Sequence, residues 1–144
     1  MLWIIIGAIA IFYAIICVYI YMAQDNMIFY PTDDVAVTPE EVNLDYEEIF
    51  IKAGQKDSIC AWFFPKEVNY LTHKTIIFAD GNAGNMSYRL ESVLFLNQIG
   101  ANVLMFDYRG YCKSSGKPNE KATYEDTRAC YNCLVEVKCI KPEN

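Results

Sequence analysis

Histidine is nearly missing from this chain: His73 is the only one. Any site that needs an imidazole as base or metal ligand has a single place to draw on. Basic residues are absent before Lys52. That removes the n-region of a secretory signal peptide. It also leaves the positive-inside rule almost nothing to count, so topology and compartment stay open. With 12 Lys and Arg against 18 Asp and Glu, the net charge is −6 and no basic stripe exists. Nucleic acid is not an expected partner. The acidic stretch from Asp25 to Glu48 argues equally against clamping to anionic lipid. Charge of either sign is lacking from Leu2 to Met22.

That charge-free run has the length of a membrane span. Its 21 residues rise about 31 Å as a helix, the thickness of a hydrocarbon core. Eleven are Ile, Leu, Val or Phe, worth about −4 kcal/mol toward insertion at roughly −0.4 each. Both faces are equally apolar, unlike a helix half-buried in a soluble core. The exit Tyr21-Met22-Ala23-Gln24-Asp25 shows no small-x-small cleavage site. We expect a single-pass transmembrane signal-anchor over residues 1–24, spanning Leu2 to Met22. A juxtamembrane linker over 25–46 and a soluble part over 47–144 should follow.

Of the six cysteines, Cys17 lies in the anchor, while Cys130, Cys133 and Cys139 cluster late. Cys130-x-x-Cys133 has redox or zinc spacing. It falls within an expected helix, however, with no second pair and His73 remote, so no metal or cofactor is expected. Disulfide pairing is not fixed by the sequence.

Ile49–Lys52 and Ile59–Phe64 read as strands around a Gly54–Asp57 hairpin turn. Thr75–Ala79 and Asn102–Phe106 are short apolar runs without alternation, suited to strands covered on both faces. Between them, helical spacing runs from Met86 to Ile99, with Asn85 as N-cap and Gly100 as stop. A second helix is expected from about Lys121 to Val137, with Tyr124, Thr127, Arg128, Tyr131, Leu134 and Val135 inward and Cys133 turned away. The order β-β-β-α-β-α implies an α/β fold with a mixed, mostly parallel sheet.

In such sheets ligands sit beyond the carboxyl ends of the strands. Two loops emerge there, Asp80–Asn85 and Asp107–Pro118. Gly81 and Gly84 allow close backbone approach, and the helix that follows adds its positive end. That arrangement suits an oxyanion or a phosphate. A nucleotide P-loop does not fit: Gly110 and Gly116-Lys117 are separated by five residues rather than four, and Pro118 stands where Ser or Thr is needed. Asn85-Met86-Ser87 is an N-glycosylation sequon, but a glycan there would block the site mouth, so we read Asn85 as an unmodified cap.

Phe78-Ala79-Asp80-Gly81-Asn82-Ala83-Gly84-Asn85 and Asp107-Tyr108-Arg109-Gly110-Tyr111-Cys112-Lys113-Ser114-Ser115-Gly116-Lys117-Pro118, with the Phe29-Tyr30-Pro31 segment, resemble the membrane-anchored α/β-hydrolases around α/β-hydrolase domain-containing protein 13. The resemblance covers nearly the whole chain. It implies an N-terminal transmembrane helix plus the first half of an α/β-hydrolase sheet, an incomplete domain. It implies a serine hydrolase of the esterase, thioesterase or peptidase type, with an acyl ester or thioester as substrate. The turn would supply an oxyanion-hole N–H from Asn82 or Ala83, with Asn82 favoured. Asp80, Gly81, Gly84, Asp107, Arg109 and Gly110 would shape the site loops, with Arg109 tying turns together.

Two positions depart from the family. Asp80 stands where its members carry His, placing a carboxylate beside the oxyanion turn, where it opposes the developing charge unless paired or protonated. Cys112 stands for a Gly, which strains the turn if that position needs positive φ. The elbow Gly-x-Ser-x-Gly occurs nowhere in the chain, and in the family the triad lies beyond Asn144. Ser58, Ser87, Ser92, Ser114 and Ser115 each lack a base, so no catalytic residue is assigned. The resemblance also places Thr75–Ala79 beside the nucleophile's strand, which would leave it here as an open edge. Two expectations follow: a truncated N-terminal part of a membrane-anchored serine hydrolase, or a non-catalytic membrane-tethered module that pairs with another chain through that edge.

Overall fold

A computed structural model of the chain describes residues 1–66 and 74–143. His73, expected in a loop, lies outside the described residues. Helix α1 spans Leu2–Ile28, with a mean hydropathy of 2.6 and no buried residue. Its length and apolarity make it a candidate membrane anchor. The helix continues six residues past Met22, because nothing between Ala23 and Ile28 breaks it. It stops where Phe29 turns extended and strand β1, Tyr30–Pro31, begins.

The expected linker is an ordered strap. A 3-10 turn at Pro39–Val42 is closed by a capping box between Thr38 and Glu41. Val37, Val42, Leu44 and Tyr46 pack against the core.

Strands β2 (Glu47–Ala53) and β3 (Asp57–Phe64) form an antiparallel hairpin turning at Gly54. β3 then pairs antiparallel with β6 (Asn102–Phe106), and β6 pairs parallel with β4 (Thr75–Ala79). The main sheet reads β2-β3-β6-β4. Only one of its three pairings is parallel, so the expected mostly parallel sheet is corrected: β3 runs antiparallel to both of its neighbours, β2 and β6. Alternation sorts the side chains to two faces. Ile59, Ala61, Phe63, Leu104 and Phe106 meet Cys130 and Leu134 on one face, while Cys60, Trp62, Phe64, Val103 and Met105 meet Met86, Leu90 and Val93 on the other. Among the described residues β4 has no strand on its outer side, as the resemblance implied.

The first expected core helix begins as a 3-10 turn, Met86–Arg89, and continues as α2, Leu90–Gln98. Leu90, Val93 and Asn97 face inward as their spacing predicts.

The second is α3, Glu120–Asn132, prolonged by a π turn over Cys133–Val137. Its expected face is rotated. Ala122, Asp126, Cys130 and Leu134 are buried, whereas Tyr124, Arg128 and Tyr131 are exposed and Cys133 packs on the core. An inward acid, Asp126, decides the rotation, and an apolar wheel cannot register it. The displaced stripe instead lines a groove of about 600 Å³ with Ile77, beside the open edge of β4.

Asn85 caps its turn as expected, accepting from the Ser87 N–H, and is 1 % exposed. Its amide nitrogen donates to the carbonyls of Thr32 and Asp34, at 3.1 and 2.8 Å. A glycan on that nitrogen would break both bonds. Replacing Asn85 by Ala removes the cap and strands two strap carbonyls, with an expected loss of about 1–3 kcal/mol. Denaturant unfolding of the chain in detergent checks this, and an unchanged midpoint would show that the strap does not depend on Asn85.

Candidate functional site

Parallel register brings the two loops together. Thr75 pairs with Asn102 and Ala79 with Phe106, so Asp80 and Asp107 leave their strands side by side at the carboxyl end of the sheet.

In the first loop, Asp80 accepts from the Gly81 N–H at 2.7 Å and pairs with Arg89 Nε at 2.9 Å. The carboxylate that replaces the family's His is therefore paired, which answers the electrostatic objection to it. Asn82 is gripped from three sides. Its Nδ2 donates to the Ile28 carbonyl at 2.5 Å, and its own carbonyl accepts from the Tyr30 N–H and the Tyr111 hydroxyl, both at 2.8 Å. The Asn82 N–H donates to none of the described residues.

Ala83–Gly84 forms a two-residue strand, β5, parallel to β1. Gly84 has φ +86°, a left-handed backbone that favours glycine, although a Cβ there would make only ordinary contact, 3.5 Å from the Tyr88 ring. Gly81 differs: a Cβ would meet nothing within 4 Å. It keeps space open without serving a backbone need. The expected help from a helix terminus is also corrected, because the Met86 N–H is occupied by Asp107 Oδ1 at 2.7 Å.

Arg109 fastens the second loop to α3. Its backbone N–H and Nε both donate to Asp126, at 2.9 and 2.7 Å, while Nη2 reaches Glu125 at 2.7 Å and the Ala122 carbonyl at 3.1 Å. Such a fork is well matched to carboxylates. Gly110, at φ +81°, leaves no room for a Cβ, which would lie 2.6 Å from Pro118 Cδ. Ser114 donates to the Asp107 carbonyl, and Ser115 bonds Ser58. Ser87 donates to Asn85. These hydroxyls hold loops. Cys112 has φ 45°, so its strain at a family glycine position is real.

Asp107 is 2 % exposed, and its Oδ2 has no partner among the described residues. Burial pushes this carboxyl up to about 7, against the pull of the Met86 N–H. The described cysteines are free thiols. Burial raises Cys130 far above the usual thiol range and also raises Cys133, which leaves both unreactive. Among the described residues no group of three His, Cys, Asp or Glu could hold a metal ion.

A cavity of about 350 Å³ opens at the Asn82 turn, between Gln24, Asp25, Ile28 and Phe29 at the end of α1 and Asp80, Gly81 and Asn82. Tyr108, Glu120 and Thr123 complete it. A larger groove, about 850 Å³, lies between β2 and the α3 region and touches neither glycine turn. The grip of Ile28, Tyr30 and Tyr111 on Asn82 escaped the sequence reading. Only the proximity of Phe29-Tyr30-Pro31 to the anchor hinted at it.

No model of a known protein family matches the chain. It is 33% identical over 135 residues to the uncharacterized protein YfhR of Escherichia coli, covering 92% of this chain and 47% of that protein. It is 32% identical over 117 residues to the α/β-hydrolase domain-containing protein WAV2 of Arabidopsis thaliana, covering 77% of the chain and 38% of the relative. Among solved structures it is similar to the Pyrococcus furiosus esterase Pf2001, with a TM-score of 0.62 and 24% identity over 76% of this chain and 42% of that one. The chain thus spans about half the length, or less, of the curated relatives it matches.

Two tests follow from this geometry. Because the folded pKa of Asp107 lies above the ordinary carboxylate value, the native state holds its proton more tightly between about pH 4 and 7. Its contribution to stability is present at low pH and lost as pH rises through about 7. Asp107→Asn should flatten that decline, which this residue steepens by up to about 1.4 kcal/mol per pH unit. Denaturant unfolding at pH 5 and 7.5 checks this, and parallel pH curves for the two proteins contradict it. Cys112→Gly relieves a left-handed residue and should raise stability by up to about 1 kcal/mol after glycine's entropic penalty; a loss would show that the thiol's packing outweighs the strain.

Proposed function

We propose that this chain, which belongs to the α/β-hydrolase superfamily, is the anchor and oxyanion-binding part of a membrane-anchored serine hydrolase of esterase, thioesterase or peptidase type. The observation that carries the reading is the Asn82 peptide. Its carbonyl is fixed by Tyr30 and Tyr111, its side chain by Ile28, and its N–H, which donates to none of the described residues, lies beside a cavity. A donor held in place before the reaction, aimed where negative charge develops, is the largest single aid to acyl transfer.

In this reading the substrate's carbonyl oxygen meets the Asn82 N–H. The second donor, the serine nucleophile, its acid and its base come from sequence that follows this stretch in the whole protein. Arg109 acts only as a positioning residue, through the loop it ties to α3. α1 holds the site at a membrane.

The open edge of β4 favours a second reading: a non-catalytic membrane-tethered module that adds another chain's strand there. A fluorophosphonate probe separates the two. The 144-residue chain should remain unlabelled, because its described serines lack a base. A protein read from the same gene through a Gly-x-Ser-x-Gly elbow should label. In that protein Asn82→Pro, which deletes the N–H, should lower kcat by about 10²–10³. Asn82→Ala, which keeps the N–H, should cost less than about tenfold. A gene without the elbow, or an undiminished rate for the proline variant in a folded protein, would overturn the hydrolase reading.

A further inference from the structure

We propose that the cavity at the Asn82 turn takes its acyl ester from the headgroup layer of the bilayer, and that it selects zwitterionic or neutral lipid esters over anionic acyl carriers. The inference rests on the hydrolase reading above and on α1 as a membrane anchor.

Depth is the first argument. The charge-free span ends at Met22. The cavity wall on α1 runs from Gln24 through Asp25 and Ile28 to Phe29. At 1.5 Å per helical residue, Gln24 to Ile28 lies about 3–9 Å beyond Met22. The headgroup layer of one leaflet is about 5–7 Å thick. The cavity therefore overlaps the layer at whose inner boundary lipid ester carbonyls sit.

Rigidity is the second. The Asn82 amide caps the last turn of α1, and β1 pairs with β5 immediately after it. No flexible tether separates anchor from turn, so the free N–H is held at a fixed height above the hydrocarbon. A soluble substrate needs no such constraint, whereas a lipid ester does.

Charge is the third. Asp25, Asp80 and Glu120 line the cavity, and among the described residues no Lys or Arg lines it. Arg89 pairs with Asp80 and neutralises it, so Asp25 and Glu120 are the carboxylates left to face an anionic ligand. Phosphate-rich carriers such as an acyl-coenzyme A, or an anionic phospholipid, meet uncompensated like charge within a Debye length of about 8 Å. A choline headgroup does not, and Ile28 and Phe29 offer its acyl chain an apolar wall.

Photocrosslinking tests this directly. The chain is reconstituted in phosphatidylcholine vesicles doped with a phosphatidylcholine carrying a diazirine next to its acyl ester, and adducts are mapped by peptide sequencing. Adducts are expected at residues 24–29 and 80–83, reduced at least fivefold by Thr123→Trp, which fills the cavity. Labelling within residues 2–22 should be unchanged by that substitution. Lysophosphatidylcholine should compete at least tenfold better than palmitoyl-coenzyme A, and Asp25→Asn with Glu120→Gln should erase most of that preference. Adducts confined to residues 2–22, equal competition by the two amphiphiles, or a chain that alkali strips from the vesicles would each overturn the proposal. Fluorophosphonate labelling of the elbow-containing protein is read separately: if it succeeds while crosslinking fails, only the lipid-entry inference falls. If crosslinking succeeds without labelling, the cavity still binds lipid and the hydrolase reading falls.

Discussion

The site depends on how one peptide group, that of Asn82, is held. Its carbonyl takes two donors, Tyr30 N–H and Tyr111 Oη, and its side chain caps Ile28. Each bond comes from a different part of the chain: the end of α1, the strap's first strand and the second glycine-bearing loop. The Asn82 N–H itself donates to none of the described residues. A free backbone donor in water is ordinary, but one fixed from behind and set beside a cavity needs no reorganisation when charge develops.

Buried polar groups link this peptide to the rest of the domain. Asp107 leaves β6 and fastens the Met86 N–H, which sets the start of the turn that Asn85 caps. Asn85 then reaches back to the strap through Thr32 and Asp34. On the other side, Arg109 joins the second loop to Asp126 and Glu125 on α3. Asp107 Oδ2 has no partner among the described residues, and burial raises that carboxyl. The same chain of contacts ties the position of α1's last turn to the geometry of the Asn82 turn.

Much of the fold was legible in the residues. Thr75–Ala79 and Asn102–Phe106 are strands with the bounds that their unbroken apolar runs indicated. Asn85 caps its turn, and Cys112 has the positive φ that its replacement of a glycine implied. What escaped detection involves polar groups that fold inward. Asp126 rotates α3 because Arg109 needs a buried partner, and no hydrophobic wheel registers an acid as core. Asp107 takes the helix N-terminus that the glycine loop was expected to offer. The grip on Asn82 joins residues 28, 30, 82 and 111, whose separation in sequence hides it; only three-dimensional placement brings a carbonyl at the end of α1 against a turn more than fifty residues away.

Amide hydrogen exchange of the reconstituted chain, resolved residue by residue, tests the central claim most directly. The Tyr30 N–H, bonded to the Asn82 carbonyl, should exchange far more slowly than an unstructured amide, while the Asn82 N–H exchanges freely. A freely exchanging Tyr30 or a protected Asn82 would mean that the turn is held otherwise and that its donor is not presented to the cavity.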